Sequence, residues 1–230
     1  MYSYNDGSLW VINSMYTAVR SAGALRVSAS DVNGTMVFAA NYTIPALPGD
    51  TPIHVGDFPP ISRAQLSTAT YVLQLTVSYP ATSTSSGIPP SNPNTYWLST
   101  TPDVLEWEKS NFYITPCSSY ADLSGLCALA PAKATWSVSH VLVEGTVRFN
   151  ISLVNPAGAP IAFAGHITCW AGATELRPIL FSDNFVTLLP GHSRLVSATF
   201  QPPVPRRQDI EGEGGESGYS CTVDFYNDVC

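Results

Sequence analysis

Apolar and polar residues alternate with period two over several stretches of this chain, the spacing of half-buried β-strands. In Gly23 to Ser30, Leu25, Val27 and Ala29 alternate with Arg26, Ser28 and Ser30, and Asn33-Gly34 supplies a hairpin turn into Met36 to Thr43. Tyr71 to Ser78 repeats the pattern through Leu73, Leu75 and Val77, and extended structure resumes at Tyr96 to Ser99. The segment from Pro80 to Asn94 is too rich in Pro and Ser for a core and reads as a protruding loop. Alternation returns at Val147, Phe149, Ile151 and Leu153, and further strands are predicted at Ile161 to Trp170, Ile179 to Leu189, Leu195 to Phe200 and Tyr219 to Tyr226.

The stretch between these two β-rich halves, Thr101 to Ala130, loses the alternation, and Ser118 or Ser119 can cap a short helical turn through Ala121, Leu123 and Leu126. These signals predict an all-β chain of two consecutive immunoglobulin-like β-sandwiches, 1–108 and 132–230, joined by a linker with a helical turn at 109–131. Composition agrees: 12% of residues are charged, 19 are proline and about a fifth are Ser or Thr. The net charge of −7 offers no footprint for phosphate backbones, so nucleic-acid partners are not expected. No stretch has the ~18 apolar residues of a spanning helix, and the first residues lack a signal-peptide pattern.

Candidate chemistry is sparse. Glu106 and Glu108 are the one carboxylate pair beside aromatics and would share a face of an extended segment. The histidines, His54, His140, His166 and His192, are scattered without metal-ligand or nucleophile-base spacing, and no C-x-x-C pair occurs, so neither a metal nor another cofactor is expected. Trp10, Tyr16, Trp97, Trp107, Tyr113, Trp136 and Trp170 could stack on sugar rings, although most are expected in the cores. Strand parity puts Trp170 on an outer face, where an interdomain contact is favoured over a sugar platform; Trp170 and Trp107 are the candidate carbohydrate contacts. The acidic residues Asp209, Glu211, Glu213 and Glu216 could draw a polycation toward a cleft, or could simply be a solvated loop.

Asn33, Asn41 and Asn150 head N-x-[ST] sequons and give mild support for secretion. Parity also turns Cys169 and Cys221 inward on different strands of one core, predicting a disulfide. Cys117 and Cys127 flank the helical turn and suggest a second, local bridge, which leaves Cys230 unpaired.

Four stretches, SLWVINSMY, NTYWLSTTPDVLEWEKSNFYITP, SSYADLSGL and RPILFSDNFVTLLPGHSRLVSATF, resemble in matching order the C-terminal region of family 2 exo-β-D-glucosaminidases, the exo-chitosanases of fungi and actinomycetes. The resemblance fades beyond Gln201. It implies the last two sandwiches of an enzyme whose catalytic (β/α)₈ barrel is not in this chain, so no catalytic residue carries over. It further implies, as partners, the barrel and N-terminal domains of a parent that releases β-1,4-linked D-glucosamine from chitosan, and an N-terminal strand that begins part-way. A free-standing secreted carbohydrate-binding or adhesion module is the alternative expectation.

Overall fold

A computed structural model describes residues 1–80, 93–202 and 218–229. The chain divides into two compact units, 1–128 and 129–230.

In the first unit, strands β1 (Ser8–Asn13), β2 (Gly23–Asp31), β3 (Met36–Ile44), β4 (Thr51–Asp57), β5 (Thr70–Ser78) and β6 (Asn94–Ser99) form two antiparallel sheets. One has the order β3-β2-β5-β6 and the other is the pair β1-β4. The alternating residues read from the sequence fill the space between them: Leu25, Val27, Ala29, Leu73 and Leu75 are buried together with Leu9 and Val11 of β1. The β2–β3 hairpin is closed by a buried carboxylate, Asp31, whose Oδ1 accepts from the backbone N–H of Asn33 (3.0 Å) and Thr35 (2.9 Å), while Gly34 takes φ +83°.

Residues 109–128, most of the junction expected at 109–131, fall within the first unit. The short strands β7 (Val104–Leu105) and β8 (Cys117–Ser119) pair, and a 3-10 turn at Ser124–Ala128 is anchored on β5. Its Gly125 N–H donates to Thr70 Oγ1 (3.2 Å), and Thr70 Oγ1 donates to the Asp122 carbonyl (3.1 Å). The predicted cap at Ser118 or Ser119 is wrong, because both lie in β8. Asp122 caps the turn instead, accepting from Ser124 N–H (3.1 Å) and Ser124 Oγ (2.5 Å).

The second unit contains β9 (Thr135–Val143), β10 (Thr146–Val154), β11 (Ala162–Ala171), β12 (Thr174–Glu175), β13 (Ile179–Phe181), β14 (Val186–Leu188), β15 (Ser193–Phe200), β16 (Tyr219–Asp224) and the helical turn α1 (Tyr226–Val229). One sheet runs β13-β15-β10-β9, and facing it β11 pairs with β14, β12 and β16. Val147, Phe149, Ile151 and Leu153 of β10 are fully buried among Val196, Ala198, Ile167 and Val223.

Two strand boundaries differ from the sequence reading. The single strand expected at 179–189 is two: β13 pairs with β15 in one sheet and β14 with β11 in the other. Asn184 forces the crossing, its Oδ1 accepting from Ile167 N–H (2.8 Å) and Phe185 N–H (2.8 Å), with Phe185 at φ +54°. The last strand stops at Asp224. There buried Asn227 takes over, donating from Nδ2 to the carbonyls of Ala130 (2.6 Å) and Ile161 (2.9 Å) and accepting from Phe163 N–H (3.0 Å).

Candidate functional site

Inward-facing thiols of neighbouring strands meet first. Cys169 and Cys221 are direct cross-strand partners of β11 and β16, both buried, and form the predicted disulfide, with Cα atoms 4.0 Å apart. The bridge therefore ties two strands of one sheet rather than one sheet to the other. The expected Cys117–Cys127 bridge is absent and that expectation is corrected: both thiols are free. Cys117 sits in β8 and donates its Sγ–H to the Ser119 carbonyl, while Cys127 is exposed on a turn held against β5 by Gly125. Proximity in sequence did not aim the two side chains at each other. Cys230, the acidic residues Asp209, Glu211, Glu213 and Glu216, and most of the loop predicted at 80–94 lie outside the described residues.

The expectation that Glu106 and Glu108 share a face of an extended segment is not met. The segment is not extended there. Glu106 precedes a 3-10 turn, Trp107–Lys109, that contains Glu108, and the Glu106 carboxylate is engaged by Lys109 Nζ at 2.7 Å. Retaining hydrolysis needs two carboxyl groups ~5 Å apart across a substrate, a requirement this turn does not serve.

The expectation that most of the aromatics are core is also corrected. Tyr16, Trp97, Trp107, Tyr113 and Trp136 are exposed. Trp170 stands on the outer face of β11, half-buried, its Nε1–H donating to Thr222 Oγ1 of β16 (3.4 Å). Trp107, 64% exposed, belongs to a larger feature that the sequence reading missed.

That feature is the loop between β7 and β8. Its neck is closed by Glu106 N–H to the Pro116 carbonyl (2.9 Å) and by the Ser110 and Thr115 hydroxyls (2.7 Å). At its tip Asn111 accepts through Oδ1 from the N–H groups of Tyr113 (2.8 Å) and Ile114 (3.2 Å). These bonds fix a compact loop that holds Phe112 and Tyr113 edge to face, 5.3 Å apart, at 95% and 87% exposure, with Ile114 and Tyr120 also exposed.

The remaining candidates carry less. Asn33, Asn41 and Asn150 are all exposed, so each sequon is accessible. Asn150 borders an open depression of about 570 Å³ on the outer face of β9, β10 and β15, lined by Val141, Arg148, Ser197 and Thr199. The histidines are engaged locally: His54 Nε2 lies 2.9 Å from Asp57 Oδ1, His140 packs on Phe149 and Tyr219, and His166 stacks on Phe185. Among the described residues no three His, Cys, Asp or Glu side chains gather as a metal site.

Residues 112–216 match the exo-β-D-glucosaminidase Ig-fold domain. The chain is 34% identical over 216 residues, 92% of its length, to an exo-β-D-glucosaminidase of Streptomyces avermitilis, of which it spans 22%. It is 28% identical over 208 residues to one of Hypocrea jecorina, of which it spans 21%. The chain thus covers about a fifth of the length of these relatives. The exo-chitosanase CsxA of Amycolatopsis orientalis superposes on 99% of this chain with a TM-score of 0.80 at 28% identity, using 25% of its own length. A β-D-mannosidase from Dictyoglomus thermophilum shares the fold at a TM-score of 0.50 and 13% identity.

Proposed function

Because this chain carries the Ig-fold domain of the exo-β-D-glucosaminidases, we propose that it is the non-catalytic two-sandwich region of a secreted glycosidase whose barrel lies elsewhere in the parent polypeptide. The observation that carries this reading is the disparity in coverage: nearly all of this chain matches relatives of which it makes up about a fifth. The proposed parent reaction is removal of D-glucosamine from the non-reducing end of chitosan oligomers. In that setting the chain supplies no acid or nucleophile. Its contribution is mechanical, a pair of sandwiches that buttress the barrel and shape one side of its cleft.

The loop bearing Trp107, Phe112, Tyr113 and Ile114 is the surface suited to being covered by another domain of the parent, since exposure of three such rings to water is costly and their scaffold is already ordered. Accessible sequons and a disulfide in the second core support an oxidising, extracellular setting.

The transcript containing this coding region, assayed together with the purified chain, tests the reading. An in-frame barrel upstream is expected, with no turnover of chitosan oligomers or nitrophenyl glycosides by the chain alone. A signal peptide directly before Met1 would favour the free-standing binding module instead. Turnover abolished by Glu106→Gln or Glu108→Gln would overturn the non-catalytic assignment.

A further inference from the structure

In the second sandwich the sheet β13-β15-β10-β9 faces a sheet of β11 with β14, β12 and β16, in which β14 and β12 are short. One flank is formed by β9 and β16. Register shows what lies there. Trp136, Val138, His140 and Leu142 of β9 stand opposite Leu153, Ile151, Phe149 and Val147 of β10, all of which are fully buried. Residues directly opposite in an antiparallel pair share a face, so these four β9 side chains point toward the interior. Yet Leu142 is 66% exposed and Trp136 41% exposed. The two ends of this inward row lie open, while Val138 packs on the core and His140 meets Tyr219 of the facing sheet.

The strand on that side of the facing sheet is β16. Among the described residues it pairs with β11 alone, and none of them pairs with the backbone along its other edge. Tyr219 of β16 meets His140 of β9, ring centroids 5.4 Å apart, so the bare edge and the open row border the same space. An apolar row with period two beside an unpaired strand edge has the form of a site for one more strand: the edge supplies main-chain hydrogen bonds and the row receives alternate side chains.

We propose that the flank of the second sandwich formed by the β16 edge and by Trp136, Val138 and Leu142 receives one further antiparallel β-strand from the remainder of the parent polypeptide, about six residues long, with apolar side chains at alternate positions. The length follows from the six residues of β16. This occupant rests on the functional reading above: relatives place most of their polypeptide outside the region matched here, and a strand tethered within one chain meets the edge at about millimolar effective concentration. The side chains between the apolar ones would face water beside Ser220, Thr222 and Asp224, which are exposed, so those positions are polar.

The experiment appends the strand Thr-Val-Thr-Val-Lys-Val to the full chain through a Gly/Ser linker and follows backbone hydrogen exchange. A control carries prolines in place of two valines. The alternating strand should slow exchange at Ser220 to Asp224 at least tenfold relative to the proline control and shift Trp136 emission to the blue, and Leu142→Lys should weaken both effects. Equal exchange with the two strands, or protection confined to other sheet edges, would overturn the proposal. In the parent polypeptide recovered from the transcript, the same amides should be protected at every protein concentration. Protection that instead appears only as the isolated chain is concentrated would assign the edge to a second copy and refute the occupant named. Lack of a barrel in the transcript sinks the functional reading, whereas the tethered strand reports on the edge independently.

Discussion

Breaking the Cys169–Cys221 bridge gives the sharpest test of how the second unit is held together. The bridge spans 52 residues of sequence, and cross-linking a loop of that size removes about 4 kcal/mol of chain entropy from the unfolded state. The second unit, 129–230, is the size of an ordinary small domain, whose net stability is about 5–15 kcal/mol, so the bridge accounts for a large share of it. Replacing both residues with alanine adds the cost of two small voids in a core that includes Ile167 and Val223. Reduction by dithiothreitol keeps the sulfur atoms in place and so separates the cross-link from the voids. Urea unfolding, read by hydrogen exchange at β10 for the second unit and at β2 for the first, should show a loss of about 4 kcal/mol on reduction, confined to β10, and somewhat more for the double alanine variant. Cys117→Ala and Cys127→Ala, which remove thiols that form no disulfide, should each move either midpoint by less than about 0.5 kcal/mol. A loss below about 1 kcal/mol on reduction, or equal losses in both units, would refute the reasoning.

Two further outcomes are expected. Burial holds the Tyr71 phenol up at about 12, with Tyr2 adding a smaller push, whereas the unfolded chain ionises near its ordinary value of 10. The folded state is the poorer acid, so this contribution is fully present below pH 10 and is lost as pH rises from 10 to 12. Urea unfolding of the first unit should therefore show a shallower alkaline decline in Tyr71→Phe, and an unchanged slope would exclude Tyr71 as a source. A Cβ added at Gly165 would lie 2.5 Å from the buried ring of Phe225, so Gly165→Ala should cost the second unit about 1–3 kcal/mol, while Gly218→Ala, which meets nothing within 4 Å, should stay within about 0.5 kcal/mol. Similar midpoints for the two variants would show that the ring can move aside freely.

The sequence was most legible where a strand has one buried and one wet face. Strands β2, β5 and β10 were found within a residue or two of their ends because parity fixes which side chains enter the core. The same parity located the Cys169–Cys221 bridge. Direction failed for Cys117 and Cys127, since spacing along a turn says nothing about where a thiol points. The crossing at 182–185 was missed because two short apolar runs on either side of Asn184 read as one strand, and only the side-chain bond from Asn184 to β11 separates them. Strands β1, β4 and β9 left weak signals: β4 carries Pro52 and Gly56, and β9 has apolar residues on both faces.

The misread aromatics expose the assumption beneath such pattern reading, which is that apolar residues are buried within the chain that carries them. Phe112, Tyr113 and Ile114 are consecutive, and consecutive residues of an extended segment point to opposite sides, so one core cannot take all three. Asn111 directly before them and Pro116 two residues after them are turn signals that support the same conclusion. Trp136 is exposed for a different reason: like Leu142 it stands opposite a buried residue of β10, yet no described strand covers it. Both errors arise where apolar side chains exceed what this chain can cover, at the β7–β8 loop and at the β9–β16 flank. In a polypeptide that makes up about a fifth of its relatives, those are the places where the rest of a larger molecule is expected to touch it.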